Sequence, residues 1–308
     1  MPLSEEVDCA VRRPASAAPP AAAAPPAAAA PPPPRILCFA NQKGGVGKTT
    51  SAANTAAALR LRGARVLLVD MDPQATATLG LVSSRAASLH REGRTMAQVI
   101  LRERPLAEII VPAEGDAATA CDVASSHIEL AEADSRREPG FERALAEALE
   151  PVLGDYDAII VDAPPNLGML TWQALSAAQG AIVPVRTEPY DAMGVGLILS
   201  TITKIQRRSN PALRLLGVLP TQFSRRKQVD REVLAQLRAA LGDRVALFSP
   251  VPEAALFGHA SRNGTTAVAL EPGNRAVETY QALADALLGK AGWPLLDPRS
   301  AAAPGPSA

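Results

Sequence analysis

The chain has 308 residues, 47% of them hydrophobic and 3% aromatic, and its 31 Lys and Arg balance 31 Asp and Glu. Zero net charge excludes a protein drawn to DNA or membrane by its overall field, so any polyanion must meet a local patch. The composition also excludes a collagen-like chain, a disulfide-rich secreted scaffold and a chain disordered throughout.

Residues 14–34 are all Ala or Pro apart from Ser16 and hold 9 of the 28 prolines. Repeated proline pairs break the helix that alanine favours and bias the backbone to extended polyproline conformations. Residues 1–34 are therefore expected to form a disordered tail, or a spacer presenting residues 1–13. From Arg35 onward, short apolar runs alternate with longer helical stretches. Strands are predicted at 35–40, 65–70, 108–111, 157–162, 180–185, 214–219 and 245–249. Helices are predicted at 48–61, 139–152, 169–178, 194–208, 228–241 and 274–288, with Gly63 ending the first. Strands nearly continuous in Val, Ile and Leu fit a parallel sheet covered on both faces. The expectation is one α/β domain, residues 35–293, with a doubly wound, mostly parallel sheet of the P-loop NTPase type. Residues 294–308 return to Pro, Ala and Ser and are expected to be a flexible tail.

Three cysteines, Cys9, Cys38 and Cys121, are odd in number and widely spaced, which gives no disulfide framework or zinc site. Cys38 lies in an apolar run and is expected in the core. Glu5, Glu6 and Asp8 stand where a signal peptide would be basic, and prolines follow Arg12-Arg13. No proline-free apolar run reaches 18 residues, so a cytoplasmic protein without stable membrane association is expected.

Directly after the first predicted strand comes Asn41-Gln42-Lys43-Gly44-Gly45-Val46-Gly47-Lys48-Thr49-Thr50. A glycine-rich turn leading into a helix points successive backbone N–H groups at phosphate oxygens, and the helix N-terminus adds partial positive charge. Lys48 is placed to reach the β- and γ-phosphates, and the Thr49 hydroxyl to hold Mg²⁺. Gln42 replaces the glycine that an ordinary P-loop carries, and Lys43 adds a second lysine.

These residues resemble the deviant Walker-A ATPases of the ParA/MinD type. So do Val69-Asp70-Met71-Asp72-Pro73-Gln74 and Ile159-Ile160-Val161-Asp162-Ala163-Pro164-Pro165, which look like the family's second signature and its Walker B strand. The similarity extends over residues 36–290. It implies ATP hydrolysis with Mg²⁺ and an ATP-dependent homodimer in which Lys43 crosses to the partner's nucleotide. Asp72, at a strand end, then orients the attacking water, and Asp162 holds Mg²⁺. Asp70 is left between supporting the metal and capping its own turn. By alignment, Thr221 and Pro252 fall where relatives touch adenine.

The charge balance is uneven along the chain. Ten basic residues between 204 and 244 face three acids, whereas 103–162 carries 15 acids against four arginines. Lys204, Arg207 and Arg208 end a predicted helix, and Arg225-Arg226-Lys227 follows a predicted strand. Phosphate contacts from such a cluster give sequence-independent DNA binding at about 10⁻⁴ to 10⁻⁶ M, steeply salt-dependent. The same residues also suit a solvated helix end and turn. The resemblance favours non-specific double-stranded DNA, a nucleoid location and a ParB-like or other cargo-adaptor partner, with Arg226 aligned to an arginine implicated in DNA contact. One departure stands out: relatives carry further arginines where this chain has Glu253 and Leu256 in Val251-Pro252-Glu253-Ala254-Ala255-Leu256-Phe257.

Other members of the wider group bind membrane or carry an iron–sulfur cluster. The membrane mode needs a basic amphipathic C-terminal helix. Here 279–293 has Tyr280, Leu283, Leu287 and Leu288 at core-facing spacing and only Lys290 as a base, so core packing is expected. The cluster mode needs paired ligand cysteines that this chain lacks, and His90, His127 and His259 show no metal-ligand spacing. No helix-turn-helix segment precedes the domain, so operator binding is not expected. The cargo, whether plasmid, chromosome or protein cluster, is open.

Overall fold

Runs of Val, Ile and Leu form the strands because both faces of the sheet are covered by helices. A computed structural model describes residues 33–102 and 104–297. The expected N-terminal tail, as far as residue 32, and residues 298–308 of the expected C-terminal tail lie outside the described residues. The strands are β1 (Ile36–Phe39), β2 (Val66–Asp70), β3 (Ile110–Pro112), β4 (Asp122–Ala124), β5 (Ala158–Asp162), β6 (Gly180–Arg186) and β7 (Arg214–Thr221). They make one sheet in the order β3-β4-β2-β5-β1-β6-β7. Every neighbouring pair is parallel except β3 with β4, an antiparallel edge.

Alternation along each strand divides the interior into two cores. Leu37, Phe39, Leu68 and Ile160 face α1 (Lys48–Arg60) and the C-terminal helix α11 (Glu278–Leu287). Cys38, Leu67, Val69, Ile159 and Val161 face the opposite layer, built from α4 (Met96–Arg102), α5 (Ala144–Leu149), α6 (Met169–Ala177), α7 (Pro189–Arg208) and α8 (Gln228–Leu241). Tyr280 is fully buried against α1, its hydroxyl 3.1 Å from the Ser51 hydroxyl. The apolar face of α11 is thus spent on the core, as its spacing predicted. None of the described helices is long and apolar enough to cross a membrane. Gly63, at φ +81°, makes the left-handed turn that ends α1 and returns the Ala64 N–H to Leu59 O.

The doubly wound parallel sheet is as expected, and four local features differ. Residues 245–249 do not form a strand: they make single bridges, Val218 with Leu247 and Phe248 with Leu295. Close approach there requires Gly217, where a Cβ would come within 2.6 Å of Ala246 O. β4 has only three residues and little apolar pattern to announce it. The helices α2 (Thr76–Leu81), α3 (Ala86–Arg91) and α4 were not foreseen, being six or seven residues long. The predicted helix 139–152 breaks into a 3₁₀ turn, α5 and a second 3₁₀ stretch from Glu150 to Asp155, where Pro151 supplies no N–H to continue the α pattern.

Candidate functional site

The C-terminal ends of β1, β2, β5, β6 and β7 converge on one edge of the sheet, where open α/β folds bind ligands. β1 leaves the sheet at Ala40, and Asn41 ties the following loop down. Its Nδ2 donates to Pro184 O at 2.7 Å and its Oδ1 accepts the Lys43 N–H at 3.2 Å. Gly45 and Gly47 adopt φ +73° and +81°, which curl the loop into the N-terminus of α1. Lys43, Gly44 and Gly45 are exposed on its rim. Lys48 is buried, and its Nζ donates to Lys43 O at 2.9 Å. Burial holds its ammonium below the usual lysine range, against an opposite pull from Asp162 and Asp72. Thr49 and Thr50 are half-buried on the first turn of α1.

β2 and β5 lie side by side with Asp70 paired to Asp162, so both carboxylates reach the same edge. Asp70 is fully buried; its Oδ1 accepts the Asp72 N–H, and its Oδ2 accepts the N–H and hydroxyl of Thr78. Burial still pushes its pKa up to about 6. Three bonds tie Asp70 to the Asp72 turn and to the first turn of α2. Asp72 is 7% exposed, with Oδ1 bound by the Gln74 N–H at 2.9 Å.

Asp162 differs from both. It is fully buried, and neither carboxylate oxygen has a hydrogen-bond partner among the described residues. Burial, reinforced by the nearby Asp70 charge, pushes its pKa well above the usual carboxylate range, while Thr49 and Lys48 favour the ionised form. The Thr49 hydroxyl faces the carboxylate, yet no bond of acceptable distance and angle is completed. Two orphaned hard oxygens beside a threonine hydroxyl form a donor set that suits Mg²⁺.

On the other flank, Thr221 is buried and its hydroxyl donates to Val46 O at 2.9 Å, with Val185 O at 3.3 Å. Gln222 Nε2 donates to Gly45 O at 2.8 Å. Thr221 therefore props the loop from beneath, with its hydroxyl already committed. Pro252 lies half-buried opposite Phe223, where Val251 and Glu253 exchange backbone bonds with 220–223. Among the described residues, Ala75 and Gln222 are the non-glycine residues with left-handed backbones, φ 52° and 54°. Both flank this edge, consistent with strain concentrating at functional sites.

Comparison with known proteins places this geometry. Residues 34–215 match the family described as AAA domain. The chain is 38% identical over 259 residues to the chromosome-partitioning ATPase Soj of Thermus thermophilus, covering 83% of this chain and 96% of that protein. The chain belongs to the ParA/Soj family of P-loop ATPases. It is also 38% identical over 208 residues to the chromosome partitioning protein ParA of Myxococcus xanthus, covering 66% of this chain and 70% of that one. Among solved structures, a cobyrinic acid a,c-diamide synthase from Mycobacterium smegmatis with bound ATP analogue and magnesium superposes with a TM-score of 0.70. It is 35% identical, over 85% of this chain and 97% of that one.

The ParA-family frame leaves the basic residues to be placed. Lys204, Arg207 and Arg208 are exposed at the end of α7, beside the start of β7, where Trp172 Nε1 donates to the Ser209 hydroxyl. Arg225, Arg226 and Lys227 are exposed just past the other end of β7. What is one cluster in sequence is two groups in space, at opposite ends of the eight-residue β7, whose rise is about 26 Å. Lys227 is drawn into an ion pair with Glu253, Nζ to Oε2 2.6 Å, which raises its pKa. The unusual acid thus faces one of the expected DNA-contacting bases. Leu256 and Phe257 pack half-buried on the α1 side, Phe257 edge-on to Tyr280 at 6.1 Å. Cys38 and Cys121 are buried free thiols. The fold corrects one expectation: His90 and His127, 37 residues apart, meet beside Glu129. Neither periodicity nor a short motif signals that pairing.

Proposed function

We propose that this chain is a nucleotide-switched partition ATPase. It binds ATP with Mg²⁺, pairs with a second copy, and in that state holds non-specific DNA on the nucleoid. Hydrolysis, stimulated by a ParB-like or other cargo-adaptor partner, releases it. The observation that carries the reading is the buried, unpartnered Asp162 carboxylate facing Lys48 and Thr49 at the foot of the loop. Such a group is costly unless a cation completes it.

Thr49 and Asp162 are the residues that would hold Mg²⁺, which would supply positive charge against the phosphate oxygens. The chain supplies the rest. Gly44 to Thr50 present backbone N–H groups and the α1 N-terminus to phosphate oxygens. Lys48 adds a desolvated positive charge, worth more in a water-poor site than in solution. Exposed on the rim, Lys43 is assigned to a partner's nucleotide, which makes hydrolysis depend on pairing. Asp72 is assigned the attacking water through the oxygen that Gln74 leaves open. Pro252 is proposed beside the base, and Thr221 supports the loop. Residues 35–293 act as the ATPase domain, with the flanking segments as tails.

Nucleotide binding, light scattering and phosphate release test the reading in two variants. Lys48→Ala should lose ATP binding. Asp72→Ala should bind ATP and pair but hydrolyse poorly; turnover near wild type would remove the role of Asp72. For the DNA arm, retention is measured against ATP, ADP and salt in wild type and Arg226→Ala. Retention that ignores nucleotide, or is unchanged in the variant, would overturn the proposed mode.

A further inference from the structure

Away from the phosphate loop, two histidines share one place. His90 lies in the last turn of α3, and His127 caps the 3₁₀ stretch Ile128–Ser135 that follows β4. Their rings stack with centroids 3.5 Å apart and planes 14° from parallel. Glu129 completes the group: its Oε2 lies 4.0 Å from His127 Nδ1. One ligand atom from each residue falls within 4.8 Å of the other two. A tetrahedral zinc ion with bonds of roughly 2.1 Å holds its ligand atoms about 3.4 Å apart and lies near the plane of each imidazole, so the two rings would splay out of their stack and Glu129 would turn inward to close the set.

We propose that His90, His127 and Glu129 form a binding site for a divalent transition cation, Zn²⁺ being the probe of choice. Two imidazoles and a carboxylate are the donor class that borderline cations such as Zn²⁺ take, whereas Mg²⁺ prefers oxygen alone. His90 and His127 are half-buried and Glu129 is exposed, so the donors are reachable from solvent without unfolding. The Glu129 N–H donates to His127 Nδ1 at 3.4 Å, long enough to be readily surrendered to a cation. Three protein ligands leave a fourth position for water or a partner's group.

The location gives the site reach. Ser126, one residue before His127, donates its N–H to the Thr78 hydroxyl, which in turn bonds Asp70. Further along the same 3₁₀ stretch, Asp134 accepts the Asn166 amide and the Leu170 N–H, just beyond the Asp162 strand. A cation fixing His90 to His127 would clamp α3 to the segment that touches both carboxylate-bearing loops.

The chain has three histidines, so the test is clean in untagged full-length protein carrying Cys9→Ser. Zn²⁺ affinity is read by competition with a chromophoric chelator, and Co²⁺ is read by its visible spectrum. One Zn²⁺ per chain is expected, with a Co²⁺ spectrum free of thiolate charge-transfer absorption. His90→Ala, His127→Ala and Glu129→Gln should each weaken binding by about tenfold or more, with circular dichroism unchanged, and His259→Ala should not. Absence of saturable binding, binding that survives the double His90→Ala/His127→Ala variant, or a thiolate Co²⁺ spectrum would overturn the proposal.

Discussion

Replacing Asp162 by Asn should make the nucleotide-free protein more stable while removing its stabilisation by Mg²⁺ and ATP. The Asp162 carboxylate is fully buried, and among the described residues neither oxygen has a hydrogen-bond partner. A buried polar group left unmatched costs roughly 1–3 kcal/mol, and more when charged. The isosteric amide keeps the volume and still carries the neutral group's cost but removes the charge, so the charged excess, on the order of 1–3 kcal/mol, is the gain expected near neutral pH. For a domain of this size each kcal/mol moves Tm by about 2–4 °C, giving a rise of roughly 2–12 °C. The sign follows from proton linkage. Burial raises the folded pKa of Asp162 above its value of about 3.9 in an unfolded chain. The folded state therefore holds its proton longer, and the wild type loses stability as pH climbs from about 4 through the folded value. The variant escapes that loss, so its advantage vanishes near about pH 4 and is largest at neutral pH. Asp70, raised to about 6, adds a background of the same sign to both proteins. Thermal and urea unfolding across about pH 4–8, with and without Mg²⁺ and ATP, reads all of this. A variant less stable than wild type at neutral pH without nucleotide would refute the reasoning. So would one that keeps the full stabilisation by Mg²⁺ and ATP.

Three further perturbations bear on the same edge of the sheet. Thr221→Val removes the hydroxyl that bonds Val46 O and Val185 O; a loss of about 1–2 kcal/mol in urea unfolding and weaker nucleotide affinity by calorimetry are expected. Ala75→Gly relieves the left-handed backbone at φ 52°, and the relief of about 1 kcal/mol, partly offset by glycine's entropy, should leave the protein slightly more stable in the same assay. Glu253→Gln frees Lys227 from its 2.6 Å pair. Because the pair is exposed, stability should barely change. DNA affinity should rise, and the slope of log K against log salt should steepen by up to about 0.9; an unchanged slope would show that Lys227 is no phosphate contact.

The sequence by itself determined the parts that local chemistry dictates. Continuous apolar runs such as Ile36–Phe39 and Ala158–Asp162 announced buried parallel strands, since only a strand covered on both faces tolerates them. Gly44, Gly45, Gly47, Lys48 and Thr49 announced a phosphate loop because their spacing itself sets the backbone that does the work. Tertiary structure decided what depends on distant partners. Asp70 and Asp162 look alike in sequence, each ending an apolar run. Yet Thr78 reaches back to saturate the first, while among the described residues no hydrogen bond is completed to the second. Thr221 became a prop for the loop because β6 and β7 run in register beside it. The basic run from 204 to 227 split because α7 ends at the far side of the sheet before β7 returns. Short elements such as α2 and β4 carry too few residues for a period to be read, and their caps come from elsewhere in the chain. The meeting of His90 with His127 belongs to the same class: 37 residues of sequence hide a 3.5 Å contact that only the folded chain creates.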